Sequence, residues 1–247
     1  MEDRGGALEQ LRFRRPQRLP GRPEVPLRWA TFDCYGTLVD WNEGIRATLA
    51  GLWPDADPAV LLERYHEIEP RVQLDGSLPY RDVLGQALAL LAESEGLPLR
   101  PEDASALVDS LPRWPVFVEV PDALSRLRER GWSLAILSNT DPDLLSHSLA
   151  AIGVPVDVTV TAAEARSYKP AHGHWERFFA ETGAERPLHV HVAASLFHDI
   201  VPAGELGLNA VWVNRLGEKS DLGRAAELPD LTRLAETLDG VVGTATV

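Results

Sequence analysis

At 247 residues, with 45% hydrophobic and 25% charged side chains, the chain has ordinary globular usage and enough length for a full core, which excludes a wholly disordered protein. Its 37 acidic against 24 basic side chains give a formal charge of -13, which argues against nucleic acid as a partner and leaves room for a small anionic substrate at a locally positive cleft. The single cysteine, Cys34, excludes an internal disulfide and a Cys-rich metal site; with no apolar run long enough to span a membrane, a cytoplasmic location is the simplest expectation.

Residues 1–26 carry six arginines and few apolar side chains, too few to pack, and read as a flexible extension. Their arginines also suit an organelle-targeting peptide or an acidic partner, but a tail outside the fold is the favoured reading. From Leu27 the run Leu27-Arg28-Trp29-Ala30-Thr31-Phe32 predicts a buried strand ending at Asp33. Residues 43 to about 113 contain no strand pattern and read as amphipathic helices punctuated by Pro54, Pro58, Pro70, Pro79 and Pro98, which suggests an inserted helical cap. Beyond it, strands over 132–137, 156–160, 188–192 and 210–213 alternate with helices over 122–130, 141–152, 172–182 and 201–206. That alternation predicts an α/β fold, a doubly wound parallel sheet with its site at the C-terminal ends of the strands. The expected division is therefore an extension over 1–26, a core over 27–42 and 116–247, and a cap over 43–115.

Four segments at strand ends carry the chemistry. Asp33-Cys34-Tyr35-Gly36-Thr37-Leu38 follows the first strand, so the Asp33 carboxylate projects at the sheet edge with Gly36 allowing a tight turn around it. Such an aspartate serves as a nucleophile or, more often, as a turn or cap residue. Ser138-Asn139 ends the second strand, Lys169 stands in Tyr168-Lys169-Pro170, and Val192-Ala193-Ala194-Ser195-Leu196-Phe197-His198-Asp199 follows a later strand. In this order the four segments resemble the four motifs of the haloacid-dehalogenase superfamily, over about residues 29 to 215.

The resemblance implies a hydrolase with a helical cap on a Rossmann-like core and Asp33 as nucleophile. Superfamily phosphatases usually carry a second aspartate two residues after the first and another in the fourth motif to help hold Mg²⁺; Tyr35 and Ala194 stand at those places. The Asp-x-Tyr-Gly-Thr form resembles instead the L-2-haloacid dehalogenases, which implies displacement of halide from a short 2-haloalkanoic acid, an ester intermediate and no metal. On that pattern Lys169 keeps Asp33 ionised and Asp199 activates water. Tyr35, Thr37, Ser138 and Asn139 are the expected substrate contacts, joined by Trp175 and by a cap arginine, for which Arg64 is the match and Arg46, Arg71 and Arg81 are competitors. Ala194, Leu196 and Trp175 replace the Ser, Asn and Tyr common in that family, giving a more apolar pocket. Homodimers are frequent in the family, which makes a homodimer one expected assembly. Two alternatives remain: an Mg²⁺-dependent phosphatase acting on a small metabolite, and a binding protein that keeps the fold without catalysis.

Two histidine pairs, His172/His174 and His189/His191, invite a metal reading. The second lies on a predicted strand with both rings on one face, but without further ligands at suitable spacing both pairs read as structural.

Overall fold

The computed structural model describes residues 27–74 and 78–243, so the extension expected over residues 1–26 lies outside them. The period of two along a strand sets the faces of the sheet. In β1 (Arg28–Phe32), Ala30 and Phe32 enter one apolar layer and Trp29 enters the other. The remaining strands are β2 (Trp132–Ser138), β3 (Val158–Thr161), β4 (His189–Ala193), β5 (Asn209–Val213) and β6 (Ala226–Leu228). All pairings are parallel, in the order β3-β2-β1-β4-β5-β6.

Parallel neighbours require crossovers, and the helices supply them. Four helices lie between β1 and β2 ahead of the crossover itself: α1 (Trp41–Leu52), α2 (Pro58–Gln73), α3 (Tyr80–Glu95) and α4 (Ala106–Ser110). Then follow α5 (Val120–Glu129), α6 (Pro142–Ile152), α7 (Ala162–Ala165), α8 (Gly173–Thr182), α9 (Val201–Glu205) and α10 (Leu234–Val242). Leu124 and Leu127 of α5, Leu144 and Leu145 of α6 and Leu238 of α10 cover one face; Trp175 and Phe178 of α8 and Ala203 of α9 cover the other. The sheet is therefore doubly wound, as the alternating pattern implied. Strand order reverses between β1 and β4, and at such a switch point the loops leaving the strands part to form a crevice.

Pro70 corrects one expectation. It does not separate two helices but lies inside α2, near its C-terminal end. There the ring forfeits a single backbone hydrogen bond, and burial of Leu61, Tyr65 and Glu69 on the same helix holds the segment in place. β6 and α10 were not anticipated either. β6 has only three residues, none fully buried, and offers no alternating run to read.

The helical segment is tied to the sheet by polar contacts as well as by its continuous apolar cluster. Pro79 cannot cap α3 with a side chain, and Asp141, just beyond β2, does so instead: its oxygens accept from the N–H groups of Tyr80 and Arg81, both at 3.0 Å. The Tyr168 hydroxyl donates to the Leu78 carbonyl at 2.7 Å. At Gly44 a Cβ would stand 2.3 Å from Trp114, so only glycine lets α1 lie this close to that ring.

Candidate active site

Charged residues far apart in sequence meet at the crevice between β1 and β4. Lys169 Nζ donates to Asp33 Oδ1 at 2.8 Å and to Asp199 Oδ1 at 2.7 Å. Asp199 is fully buried and Lys169 nearly so, while Asp33 keeps 8% of its surface and is the most exposed of the three. The end of β1 fixes Asp33 through its N–H, bonded to the Val192 carbonyl at 3.1 Å. Gly36, at φ 90°, then turns the chain so that the Thr37 hydroxyl donates back to Asp33 Oδ2 at 2.8 Å. The Ala194 N–H donates to that same hydroxyl at 2.9 Å, which fixes its direction.

The Asn139 side chain, expected as a substrate contact, is engaged with the backbone of Lys169. It accepts from the Lys169 N–H at 2.6 Å and donates to the Lys169 carbonyl at 3.0 Å, gripping the backbone that delivers the ammonium group. Desolvation is the largest influence on both Lys169 and Asp199 and favours their neutral forms. Coulombic attraction reverses it. The carboxylates of Asp199 and Asp33 raise the Lys169 pKa, and the Lys169 charge together with the His191 hydrogen bond lowers that of Asp199. Burial, followed by the Asp33 charge, pushes the Cys34 thiol well up and leaves it a poor nucleophile beside the aspartate.

The other expected contacts divide. Ser138 is buried at the end of β2, where its carbonyl lies 3.2 Å from His174 Nε2. Tyr35 is engaged on two sides: its hydroxyl pairs with Ser148 of α6 at 3.0 Å, and its ring stacks on Tyr80 of the helical segment and meets Trp114 edge-on. Trp175 is wholly buried, edge-on to His191 at 5.2 Å, in the layer beneath the charged cluster rather than at an open cleft. Arg64 is not brought to the cluster. It is more than half exposed and lies 3.2 Å from Glu67 and 3.6 Å from Glu95, because the inward face of α2 is taken by Leu61, Tyr65 and Glu69. Arg46 and Arg81 are likewise engaged, with Glu43 and with Asp141 and Asp143.

Sequence reasoning missed three residues. Glu69 is buried on α2 with the Gln73 amide at 2.7 Å, and burial pushes its carboxyl up to about 7. His191 stands directly behind Asp199, and Thr31 stands behind His191. The same-face spacing of His189 and His191 was the available signal, but the residue joining them is on another strand.

The donor set does not fit a hard divalent cation, which prefers several oxygen ligands. Asp33 and Asp199 are both bonded to an ammonium group, and among the described residues no group of three or more His, Cys, Asp or Glu side chains is placed to hold a metal ion. His172 pairs with Glu205 at 2.9 Å, while His174 is buried, its pKa brought down to about 3 by desolvation and then by Lys169. Among the described residues no helix is long and apolar enough to cross a membrane.

Fold and cluster together define an α/β protein that gathers ionisable side chains at the carboxyl edge of a parallel sheet. The model of the haloacid dehalogenase-like hydrolases matches residues 27–192, and the chain belongs to this family. It is 27% identical to (S)-2-haloacid dehalogenase 1 of Pseudomonas sp. (strain CBS-3), over 85% of this chain and 95% of the relative. To haloacetate dehalogenase H-2 of Moraxella sp. (strain B) it is 26% identical, over 85% of this chain and 94% of the relative. A solved L-2-haloacid dehalogenase structure matches with a TM-score of 0.78 at 25% identity, covering 87% of this chain and all of that one.

Proposed function

We propose that this hydrolase is a metal-independent 2-haloacid dehalogenase that replaces the halogen of a short 2-haloalkanoic acid with a hydroxyl group. An Asp33 carboxylate oxygen attacks the carbon bearing the halogen, and the halide leaves with the bonding pair, giving an ester between Asp33 and the substrate. Asp199 then takes a proton from water, and the hydroxide adds to the Asp33 carbonyl carbon. The tetrahedral intermediate collapses by expelling the alkoxide, which takes the proton back from Asp199 to give the 2-hydroxy acid, and the Asp33 carboxyl group then releases its proton to water and is a carboxylate again. Lys169 offsets part of the Asp33 carboxylate charge before attack and balances Asp199 afterwards. Thr37 orients the nucleophile, and Asn139 acts through the lysine backbone. Residues 43–115 serve as a cap over the core of 27–42 and 116–247, docked through Asp141 and Tyr168.

The observation that carries this reading is one ammonium group 2.8 Å and 2.7 Å from two carboxylates, a charge arrangement suited to a nucleophile and a base but not to a magnesium ion. The names of the relatives supply the substrate class. The test is an assay of chloro-, bromo- and fluoroacetate beside a phosphate ester, with a chelator present. Halide release is expected, together with its loss by more than ~10⁴-fold in Asp33→Asn. Phosphate release restored by Mg²⁺ and no halide would overturn the proposal.

A further inference from the structure

β4 carries His189 and His191 on one face, and both rings enter an apolar layer rather than water. Trp175 lies 5.2 Å from His191, and Phe178 and Phe179 lie 5.4 Å and 5.0 Å from His189. A polar ring in such surroundings has to find hydrogen-bond partners within the protein. Thr31, on the neighbouring strand β1, serves both: its hydroxyl is 2.8 Å from His189 Nε2 and 2.8 Å from His191 Nδ1. The other nitrogen of His191, Nε2, lies 3.0 Å from Asp199 Oδ1. The result is a continuous row from His189 through Thr31 and His191 to the candidate base.

The direction of the hydrogen bonds in this row follows from its two ends. At one end Asp199 Oδ1 already accepts from the Lys169 ammonium, so it is an acceptor and His191 Nε2 is the donor. At the other end His189 Nδ1 is buried and has no partner among the described residues. If His191 carried protons on both nitrogens, the Thr31 hydroxyl would have to donate to His189. That ring would then strand an N–H at Nδ1, where desolvation is not recovered. The arrangement without a stranded N–H has both rings neutral: His189 Nε2–H donates to Thr31, the Thr31 hydroxyl to His191 Nδ1, and His191 Nε2–H to Asp199. Both donors to Asp199 then fall on Oδ1, and Oδ2 accepts from no described residue although it is buried.

We infer that His191, steered by Thr31, is a positioning residue for the hydrolytic step: it pins Asp199 Oδ1 and leaves Oδ2 turned to receive the proton of the attacking water. This rests on the assignment of Asp199 as base. It predicts that loss of the His191 contact slows ester hydrolysis and spares ester formation.

The experiment combines rapid-quench halide release from bromoacetate, intact-protein mass and the imidazole ¹⁵N shifts of the resting protein. In His191→Leu the expected result is a halide burst of about one per site, an Asp33 adduct that persists, and kcat lower by about 10–100-fold. His191→Gln keeps a donor near the Nε2 position and should recover much of the loss; Thr31→Val should show a smaller version of the same defect. Wild-type turnover with no adduct and unchanged kcat in His191→Leu would overturn the inference. So would a His191 resonance pattern with Nδ1 protonated, a result that needs no substrate. If the wild-type protein releases no halide, the dehalogenase reading falls separately, and the shifts still decide whether the row of hydrogen bonds runs as inferred.

Discussion

Two carboxyl groups in this molecule are almost completely withdrawn from water, and they end in opposite states. Asp199, at the sheet edge, has Lys169 at 2.7 Å and His191 at 3.0 Å, and its pKa is lowered. Glu69, on α2, has the Gln73 amide at 2.7 Å as its hydrogen-bond partner among the described residues, and burial pushes its pKa up to about 7. Burial is common to both, so the cation in contact makes the difference. The sheet edge holds a fixed negative charge at neutral pH, whereas the helical segment holds an acid whose charge depends on the medium. Surrounding Glu69 with phenols does not supply that cation: Tyr65 and Tyr80 feel its charge but are themselves pushed to higher pKa by burial.

The largest break in this comparison is Lys169→Met, which deprives Asp199 of its ammonium partner and makes it resemble Glu69. Removing one partner from a buried pair leaves the other uncompensated, and the expected loss of stability is about 3–5 kcal/mol. Urea unfolding at neutral pH measures it, and halide release should vanish in the same variant. A variant as stable as the parent would mean that the cluster is more hydrated than its burial indicates.

Next in size is the linkage carried by Glu69. Its folded pKa, about 7, lies above its ordinary 4.5, so between these values the folded state binds the proton that the unfolded chain releases. Stability from this group is therefore full below pH ~4.5 and falls as pH rises toward ~7, by up to about 3 kcal/mol in total. Glu69→Gln keeps the shape and removes the titration. Its urea midpoint should change less between pH 5 and pH 8 than that of the parent protein, and the variant should be the more stable of the two at pH 8. Equal pH slopes would show that Glu69 ionises normally.

A smaller effect tests how the cation is held. Asn139→Ala removes both hydrogen bonds to the Lys169 backbone, at a cost of about 1–3 kcal/mol because the freed N–H and carbonyl are partly buried. A fall in kcat with little change in KM is expected, since on the proposed mechanism Lys169 acts on the nucleophile and base; a change in KM alone would favour a substrate contact for Asn139.

Much of the core was legible because its signals are local. Apolar runs gave β1 to β5, and the polar residues ending those runs gave Asp33, Ser138 and Asn139. Lys169 and Asp199, which lie together beside Asp33, were singled out by the resemblance to the family motifs. What stayed hidden depends on neighbours distant in sequence. The grip of Asn139 on Lys169 spans 30 residues, and the contact of Thr31 with His191 spans 160. Pro70 in α2 and the burial of Glu69 are tertiary results that overrode local preference, the first against helix continuity and the second against exposure of charge. Arg64 illustrates the converse: its position in the sequence suited a substrate contact, but the rotation of α2 turned it outward.

That rotation yields the smallest and most discriminating prediction. Exposed ion pairs such as Arg64 with Glu67 and Glu95 contribute little, so Arg64→Ala should change stability by less than about 1 kcal/mol. If α2 keeps its orientation when substrate is bound, the KM for a haloacetate should also stay within a factor of about two, because the carboxylate of the substrate would have no guanidinium to lose. Specificity for an acid would then come from the backbone N–H groups of the loops after β1 and β4. A rise in KM of about tenfold or more, with stability unchanged, would instead require α2 to turn Arg64 inward on binding. The same rotation would carry Glu69 away from its buried position, so Glu69→Gln should then alter the pH dependence of KM. Measuring KM at pH 5 and pH 8 in both variants separates a fixed helical segment from one that reorganises around the substrate.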